Sequence, residues 1–326
     1  MPDKSKKKKT ARPERESLTK IWARALEILT WPWAWLPMDW GLALGAAGGR
    51  LAYRLMTSRR RIALANIEMI KANGSLPAAT NAETLAREVF ANLGRSGWEI
   101  VRYYHRGLTP FLPDCHIEEG REYLLETLEE CRREGRSLVF VTGHMGNWEV
   151  MCHYLAHYGG FIFNIVGRDT NQPVTDLLVR RLRTRTGDNY ISKKGGAREM
   201  VAVLKHGGVL GTLIDQAVIG NHVGEMIPFM GREATTNLGP MRLAHHSKSK
   251  IMLVCFRREG RRQFMKIFPP LTPRRDIETE EAIIDGARQL NEWLGQYIRE
   301  HPEQWMWGHR RWKTREGVRR DKTSIT

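Results

Sequence analysis

Short apolar runs and longer stretches with helical spacing alternate along the middle of the chain. Runs rich in β-branched and other apolar residues, bounded by turn residues, predict strands over 137–142, 161–166, 189–192 and 209–214. Stretches with apolar residues at helical spacing predict helices over 147–158, 173–186 and 195–206. This alternation indicates an α/β sandwich whose sheet is mixed but mostly parallel.

The flanking regions show the same two patterns. Helical spacing predicts helices over 63–102 (with a break at 73–77), 119–133 and 280–300. Late strands are expected over 250–257 and 263–268. Because no second domain boundary or internal repeat is evident, we expect one globular domain over 57–316, followed by a tail over 317–326.

The first 56 residues have a different character. Residues 1–16 carry seven basic side chains, and this pattern predicts a disordered basic tail over 1–18. Residues 19–56 follow as a membrane-anchoring or interfacial segment, with five of the chain's eleven tryptophans at Trp22, Trp31, Trp33, Trp35 and Trp40. Tryptophan favours the boundary between lipid and water. The sequence therefore predicts an N-terminal membrane-associated helix.

The residues of this segment are compatible with more than one arrangement at a membrane. Between Glu27 and Arg50 the only charge is Asp39, and the 22 intervening residues are enough to span a bilayer. Pro32, Pro37 and Asp39 interrupt the run, so an interfacial or hairpin helix is at least as well supported as a spanning one. A third interpretation is that 31–55 packs on the globular domain.

The candidate chemistry lies directly after the strand predicted over 137–142. Residues 143–149 read Gly-His-Met-Gly-Asn-Trp-Glu, so His144 occupies a glycine-rich turn at a strand end and Glu149 opens the next helix. A carboxylate that holds one imidazole tautomer makes histidine a usable general base. No serine or cysteine stands nearby in a nucleophile elbow. We therefore expect His144 to activate a substrate hydroxyl, with Glu149 as its orienting partner.

A metal site is the competing interpretation of the same helix. Glu149, His153 and His157 are spaced four apart on one face, and His144 as a further ligand would suggest a zinc hydrolase. The glutamate, however, precedes the first histidine by four positions, which is not the His-Glu-x-x-His arrangement. The acid–base interpretation is therefore preferred, and no metal is expected.

The motif at 143–149 resembles the His-x4-Asp/Glu motif of glycerolipid-type acyltransferases, and its full form is similar to that of the late acyltransferases of lipid A biosynthesis. Ile-Pro-Phe-Met-Gly at 227–231 and Ala-Thr-Thr at 234–236 resemble further elements of that family, with Met230 where a second phenylalanine is usual. The closing segments 302–307 and 310–315 complete the resemblance, which covers roughly residues 40–315 in the expected order.

Several further residues become candidates for substrate binding. They are Asn147, Arg168, Asp169, Asp215, Gln216, Arg310 and Arg311. Arg168 suits a tetrahedral intermediate or a phosphate, although a surface ion pair with Asp169 is an equally good interpretation. Asp215 and Gln216 end a predicted strand and are expected to shape the site or to bind the acceptor.

The charge balance narrows the possible partners. Lysine and arginine number 52 against 36 acidic residues, which gives a formal net charge of +16 and favours a polyanionic partner. No zinc-finger spacing, basic coiled-coil region or aromatic–basic RNA-binding pattern is present, so nucleic acid is not expected. The four cysteines have no paired spacing and are interpreted as free thiols of a reducing compartment.

The resemblance implies transfer of a fatty acyl chain from an acyl carrier protein thioester to a hydroxyl of a Kdo-bearing lipid A precursor. This reaction would take place at the cytoplasmic face of the inner membrane and would need no metal or tightly bound cofactor. A related acyltransferase that uses acyl-CoA on another glycolipid or phospholipid is the first alternative. A non-catalytic protein that binds anionic membranes is the second.

Overall fold

A seven-stranded sheet forms the centre of the protein. The computed structural model describes residues 4–170, 172–218 and 224–312. The sheet strands are β1 (Cys115–Glu119), β2 (Leu138–Thr142), β3 (Phe163–Gly167), β4 (Asn189–Ser192), β5 (Val209–Leu213), β8 (Lys250–Glu259) and β9 (Arg262–Ile267). Their order is β1-β9-β8-β2-β5-β3-β4, and β8–β9 is the single antiparallel pair in this sheet. The predicted α/β class and the mixed, mostly parallel sheet are confirmed.

Helices and a separate hairpin surround the sheet. The helices are α1 (Lys4–Thr30), α2 (Met38–Leu55), α3 (Thr57–Ala72), α4 (Ala82–Arg106), α5 (Arg121–Glu134), α6 (Trp148–Gly159), α7 (Pro173–Arg183), α8 (Ala197–Lys205), α9 (Gly239–Ser247) and α10 (Thr279–Glu300). The hairpin pairs β6 (Gly224–Phe229) with β7 (Arg232–Asn237). Short 3₁₀ turns lie at Pro32–Trp35, Thr109–Asp114 and Pro302–Gln304.

Alternating side chains of the strands pack into two apolar cores, one on each face of the sheet. Along β2, Val139 and Val141 join a core that includes residues of α9 and α10, whereas Leu138 and Phe140 join one that includes residues of α5 and α6. Successive side chains of a strand point to opposite faces. The helices on both faces therefore hold β2 at the centre of the sandwich. Because β2 is packed on both sides, the loop that follows it begins from a rigid strand.

Strand register determines which loops meet at the carboxyl edge of the sheet. β2 and β5 are parallel neighbours in which Thr142 lies opposite Leu213. Positions 144 and 215 each follow the end of their strand by two residues, so the pairing brings them together. The meeting of these two loops is the basis of the site described below.

The N-terminal helices pack beside this edge through glycines. The pair α2–α4 comes into close contact, because a Cβ at Gly45 would lie 2.6 Å from the carbonyl oxygen of Gly94 and one at Gly49 2.0 Å from that of Phe90. Only glycine permits backbones to approach so closely. Helix α1 is attached through Glu27, whose carboxylate accepts hydrogen bonds from Tyr104 and Arg181.

Exposure distinguishes this N-terminal region from the remainder of the molecule. Most of the exposed large apolar side chains of the described chain lie between Leu18 and Met56, and they include Trp22, Trp31, Trp33, Trp35 and Trp40. None of the described helices combines the length and the apolarity that crossing a bilayer requires. A membrane-associated role for this segment stays a prediction.

Several elements differ from the sequence-based expectation. Helix α1 begins at Lys4, where a disordered tail was predicted for 1–18. Strand β1, the β6–β7 hairpin and helix α9 were not predicted, because each is short and none shows a sustained apolar period. Helix α7 ends at Arg183 instead of residue 186. The tail predicted over 317–326 lies outside the described residues.

Candidate active site

The imidazole of His144 lies in the turn between β2 and α6. Gly146 adopts φ +53°, a left-handed conformation that favours glycine, and lets the chain turn before Asn147 caps α6. The carbonyl of His144 accepts a hydrogen bond from the backbone N–H of Met306 at 3.0 Å, so the turn is fastened to the C-terminal segment. The His144 side chain is 13% exposed and belongs to the lining of a groove described below.

Asp215 at the end of β5 is the carboxylate that holds His144. Its Oδ1 lies 2.7 Å from Nδ1 of the imidazole, and its Oδ2 accepts the backbone N–H of His144 at 2.8 Å. The indole N–H of the buried Trp305 donates to the same Oδ2 at 2.8 Å. Because an ionised carboxylate only accepts hydrogen bonds, Nδ1 carries the proton and Nε2 keeps its lone pair. His144 thus has the tautomer that a general base needs.

The ionisation of Asp215 follows from the same contacts. Burial alone would raise the pKa of this carboxyl, but the electrostatic interaction with the adjacent imidazole of His144 and the hydrogen bonds from His144 and Trp305 lower it below its ordinary value. The side chain is therefore a carboxylate at neutral pH. An ionised partner stabilises the imidazolium that forms when Nε2 takes a proton.

Gln216 and His309 complete the polar end of the site. The side-chain amide nitrogen of Gln216 lies 3.1 Å from Nε2 of His144 and 3.1 Å from Nε2 of His309. An amide NH₂ has two hydrogens, so Gln216 can donate one to each ring. Burial and the proximity of His144 lower the pKa of His309 to about 4, which keeps this second ring neutral at neutral pH.

A buried polar network supports the turn from beneath. Glu99 of α4 accepts hydrogen bonds from Asn147 at 2.7 Å, from Arg258 at 3.0 Å and from Gln263 at 2.6 Å. Glu99 is fully buried and Arg258 nearly so. Removal of one partner alone would leave a buried, unpaired charge and would destabilise the fold. The network connects Asn147, in the turn after β2, to α4, β8 and β9, so three other elements anchor the turn that carries His144.

An open apolar groove of about 810 Å³ leads to His144. Its lining residues come mostly from α2 and α4 and from the segments at the carboxyl edge of the sheet. Its lining includes Leu44, Gly48, Leu93, Gly97 and Val101 from the two helices and Trp148, Gln216, Met306 and His309 beside the imidazole. Arg59 is the cationic side chain among the lining residues. The groove can therefore hold an alkyl chain whose polar end reaches Nε2 of His144.

A comparison with known protein families identifies the family that has this site. The model of the bacterial lipid A biosynthesis acyltransferase family matches residues 7–314. The chain belongs to this family. It is therefore an acyltransferase, and its family acts in lipid A biosynthesis, as the resemblance in its motifs implied.

Individual relatives agree with the family assignment. The lipid A biosynthesis lauroyltransferase of Escherichia coli is 27% identical over 307 residues, which cover 92% of this chain and 94% of the relative. The palmitoleoyltransferase of the same organism is 26% identical and covers 87% of this chain and 89% of its own. The myristoyltransferase is 23% identical, with 82% and 79% covered. These relatives are named for three different acyl chains.

Glu149 does not hold the imidazole of this acyltransferase in the structure. Its carboxylate pairs with Arg183 of α7, with oxygen–nitrogen distances of 3.1 and 2.5 Å. Burial alone would raise the pKa of Glu149, but the charge and hydrogen bonds of Arg183 lower it. The expectation that Glu149 orients His144 must be corrected, because the first turn of α6 directs this side chain toward α7 while Nδ1 faces Asp215.

Asn147, predicted to bind substrate, has a structural position instead. Its side-chain oxygen accepts the backbone N–H of Val150 at 3.3 Å, and its amide donates to Glu99. The residue is 1% exposed. Both ends of the amide are thus engaged inside the protein, and Asn147 positions the loop that carries His144.

Arg168 and Asp169 follow β3 at the same edge of the sheet but do not line the groove. Arg168 is exposed, and Asp169 accepts hydrogen bonds from Tyr190 at 3.1 Å and Ser192 at 2.6 Å. The ion pair with Asp169 considered for Arg168 is not formed among the described residues, and the basic groups that act on the Asp169 carboxyl are Arg180 and Lys194. Their part in substrate binding stays a prediction.

The two arginines of the closing segment lie in opposite environments. Arg310 is exposed, whereas Arg311 is fully buried and donates to Thr235 at 2.7 Å and to Thr236 at 3.0 Å. Burial lowers the pKa of Arg311 to about 10, so the side chain remains charged at neutral pH. The prediction that Arg311 binds substrate is corrected, because its guanidinium fastens the β6–β7 hairpin within the core.

The residues of the alternative metal site are dispersed. Nδ1 of the buried His153 lies 2.5 Å from Asp188 and 3.0 Å from the hydroxyl of Thr186, whereas Glu149 faces Arg183 and His157 is exposed. Among the described residues no group of three or more histidine, cysteine, aspartate or glutamate side chains is placed to hold a metal ion. The four cysteines are free thiols.

Sequence reasoning did not identify two residues of the site. Trp305 stands in the motif at 302–307, where no role was predicted for its side chain, and His309 stands between that motif and the one at 310–315. The His309–Gln216 and Trp305–Asp215 contacts span 93 and 90 positions of the chain, respectively. The signal available was the strand end at Asp215 and Gln216, which marks the edge where distant segments converge.

Proposed function

We propose that this acyltransferase transfers a fatty acyl chain from an acyl carrier protein thioester to a hydroxyl of a Kdo-bearing lipid A precursor. The observation that carries the proposal is the apolar groove that ends at the His144–Asp215 pair. An alkyl chain in this groove would bring its thioester carbonyl next to the imidazole of His144. The family assignment supplies the reaction class, and the groove supports a fatty acyl donor.

The first step is deprotonation of the acceptor hydroxyl. Nε2 of His144 takes the hydroxyl proton while Asp215 stabilises the resulting imidazolium through Nδ1–H. The alkoxide then attacks the thioester carbonyl, and a carbon–oxygen bond forms. We place Gln216 as the donor closest to the reaction, since its amide nitrogen already lies 3.1 Å from Nε2 of His144. Its N–H can turn to the developing oxyanion.

The second step releases the carrier. The tetrahedral intermediate collapses, the carbon–sulfur bond breaks, and the leaving thiolate recovers the proton from the imidazolium of His144. Among the described residues no serine or cysteine side chain is hydrogen-bonded to His144. A direct transfer within a ternary complex is therefore better supported than a covalent acyl-enzyme.

Charge favours both proposed substrates. The net charge of +16 complements a phosphorylated glycolipid and an acidic carrier protein. Arg59 lies at the groove and donates to the carbonyl of Gly308 at 3.2 Å, so a cation stands next to the reacting end. We propose Arg59, together with the exposed Arg168 and Arg310, as contacts for phosphate groups of the acceptor.

The exposed apolar surface between Leu18 and Met56 supports attachment to the cytoplasmic face of the inner membrane. Its tryptophans are between 48% and 72% exposed, and Trp33, Leu44 and Met56 belong both to this surface and to the groove lining. Tryptophan side chains favour the interface of a bilayer. A groove that opens among such residues would let a lipid substrate reach His144 without leaving the membrane.

The reaction is tested with acyl carrier protein thioesters of graded chain length and a Kdo-bearing lipid A precursor. Wild-type protein and His144→Ala are assayed side by side, and mass spectrometry identifies the product. We expect one added acyl chain with wild type and a loss of about a hundredfold or more in His144→Ala. Activity with acyl-CoA alone, or with a phospholipid acceptor alone, would overturn the assignment of donor or acceptor.

Membrane attachment is tested by co-sedimentation with vesicles of phosphatidylethanolamine and phosphatidylglycerol. The triple variant Trp31→Ala, Trp35→Ala, Trp40→Ala should bind at least tenfold more weakly than wild type, because these indoles lose apolar contact with the interface. Tyr123→Ala removes an exposed aromatic ring of α5, outside the N-terminal segment, and serves as the control. Equal binding of all three proteins would contradict the proposed attachment.

A further inference from the structure

Two glycines of the N-terminal helices face the groove. Gly48 of α2 and Gly97 of α4 both line it, and a Cβ built on either residue would meet no atom within 4 Å. Gly49 and Gly94 behave differently: a Cβ on either would lie within 2.2 Å of a carbonyl oxygen of the opposite helix. The two helices therefore contain glycines of two kinds, one at the helix contact and one beside open space.

Helix packing explains only the glycines at the helix contact. Gly49 and Gly94 have no side chain because the helix backbones touch there. Glycine destabilises a helix interior relative to alanine, and neither Gly48 nor Gly97 has the positive φ that would require it. Alanine would fit at both positions and would strengthen the helices. The missing side chains are instead explained by what they leave free, which is the width of the groove.

The occupant of that space follows from its size and chemistry. A volume of about 810 Å³ is in the range of pockets that hold one small ligand. The lining is mostly apolar, and His144 stands beside it. A glycolipid acceptor with several acyl chains exceeds this volume, whereas the single chain of a thioester donor does not. The donor chain is therefore the occupant that we assign.

We propose that Gly48 and Gly97 determine which acyl chain lengths the enzyme accepts. This inference rests on the proposed function, in which the groove holds the donor acyl chain. A side chain at either position would project into the groove and remove space that a long alkyl chain needs. Shorter chains would still fit, so such a side chain should change selectivity more than it changes the maximal rate.

The test uses Gly48→Leu and Gly97→Leu with a series of acyl carrier protein thioesters from eight to sixteen carbons. Each variant should lower the ratio of kcat/KM for the longest accepted chain to that for the shortest by at least tenfold. Ala47→Leu is the matched control, since Ala47 is exposed on α2 and does not line the groove. This variant should keep the wild-type length profile.

Each outcome decides a different question. If wild type transfers no chain of any length, the proposed function fails. If wild type is active and both leucine variants keep its length profile, or lose activity equally for all lengths while remaining folded, the assignment of Gly48 and Gly97 is overturned. Should leucine prevent folding, Gly48→Ala and Gly97→Ala, which fit the helices, must shift the profile in the same direction by a smaller factor.

Discussion

Two carboxylates lie near the imidazole of His144, one at the end of β5 and one in the first turn of α6. Asp215 follows β5 and is 71 positions away in the chain, but it bonds both Nδ1 and the backbone N–H of His144. Glu149 is five positions away and pairs with Arg183. The nearer residue in sequence is thus the one that does not hold the ring.

The difference comes from how the two elements direct their side chains. In the parallel pair β2–β5, residues at equal distances past the strand ends face each other, as Thr142 and Leu213 do at the end of the ladder. Glu149 instead lies in the first turn of α6, and its side chain extends over the helix surface to Arg183 of α7. Sheet register therefore determines the partner of the catalytic base, and spacing along the chain does not.

Substitution of Asp215 should have the larger effect of the two. In Asp215→Asn the imidazolium loses its anionic partner and the tautomer is no longer fixed, so kcat/KM should fall about a hundredfold or more with one optimal donor. The control is Asp188→Asn, which alters another buried aspartate–histidine pair, that of Asp188 and His153, outside the groove. A loss below tenfold in Asp215→Asn, with the fold intact by circular dichroism, would remove Asp215 from its role.

Substitution of Glu149 should act mainly on stability. Glu149→Gln leaves the buried guanidinium of Arg183 without a charged partner, and we expect a loss of about 2 kcal/mol in the free energy of unfolding. Activity per folded molecule should fall about tenfold or less, because Asp215 still holds the base. Glu83→Gln breaks an exposed pair with Arg87 and should change neither quantity. If Glu149→Gln is folded but as inactive as Asp215→Asn, the conclusion that Asp215 alone holds the catalytic base is wrong.

His309 offers the smallest expected effect on catalysis and a distinct effect of pH on stability. Its pKa of about 4 in the folded protein is below the value near 6.5 of an unfolded chain, so the unfolded state binds the proton more tightly. Stability is therefore lost as the pH falls from about 6.5 to about 4, by about 3 kcal/mol in total. His309→Gln should lose less stability over this range, as measured by urea unfolding at pH 7 and pH 4.5.

The control for this measurement is His157→Gln, since His157 is exposed on α6. It should follow wild type at both pH values. An acid response of His309→Gln identical to that of wild type would show that His309 is not kept neutral by the site. The buried environment of the His309 ring beside Gln216 would then be contradicted.

Residues 143–149 and 209–216 contain most of what could be predicted of the site. Their strand-then-turn pattern placed His144, Asp215 and Gln216 at strand ends, and the family resemblance supplied the reaction class. The same reasoning could not assign Arg311 to the core, because an arginine beside Arg310 in a basic segment looks exposed until the β6–β7 hairpin is seen to cover it. It also could not identify Gly48 and Gly97, since a glycine at a helix contact and one beside a groove look the same in a sequence.

The sequence by itself determined the alternation of strands and helices, the position of His144 after a buried strand, and the apolar, tryptophan-rich character of the N-terminal segment. These properties depend on local periodicity and composition, which the chain carries in every window of a few residues. Only the tertiary structure decided that Asp215 holds His144, that Trp305 and His309 join them, and that α2 and α4 form the groove. Those relations depend on which strands become neighbours and on which helices touch, and contacts between distant segments are set by the packing of the whole domain.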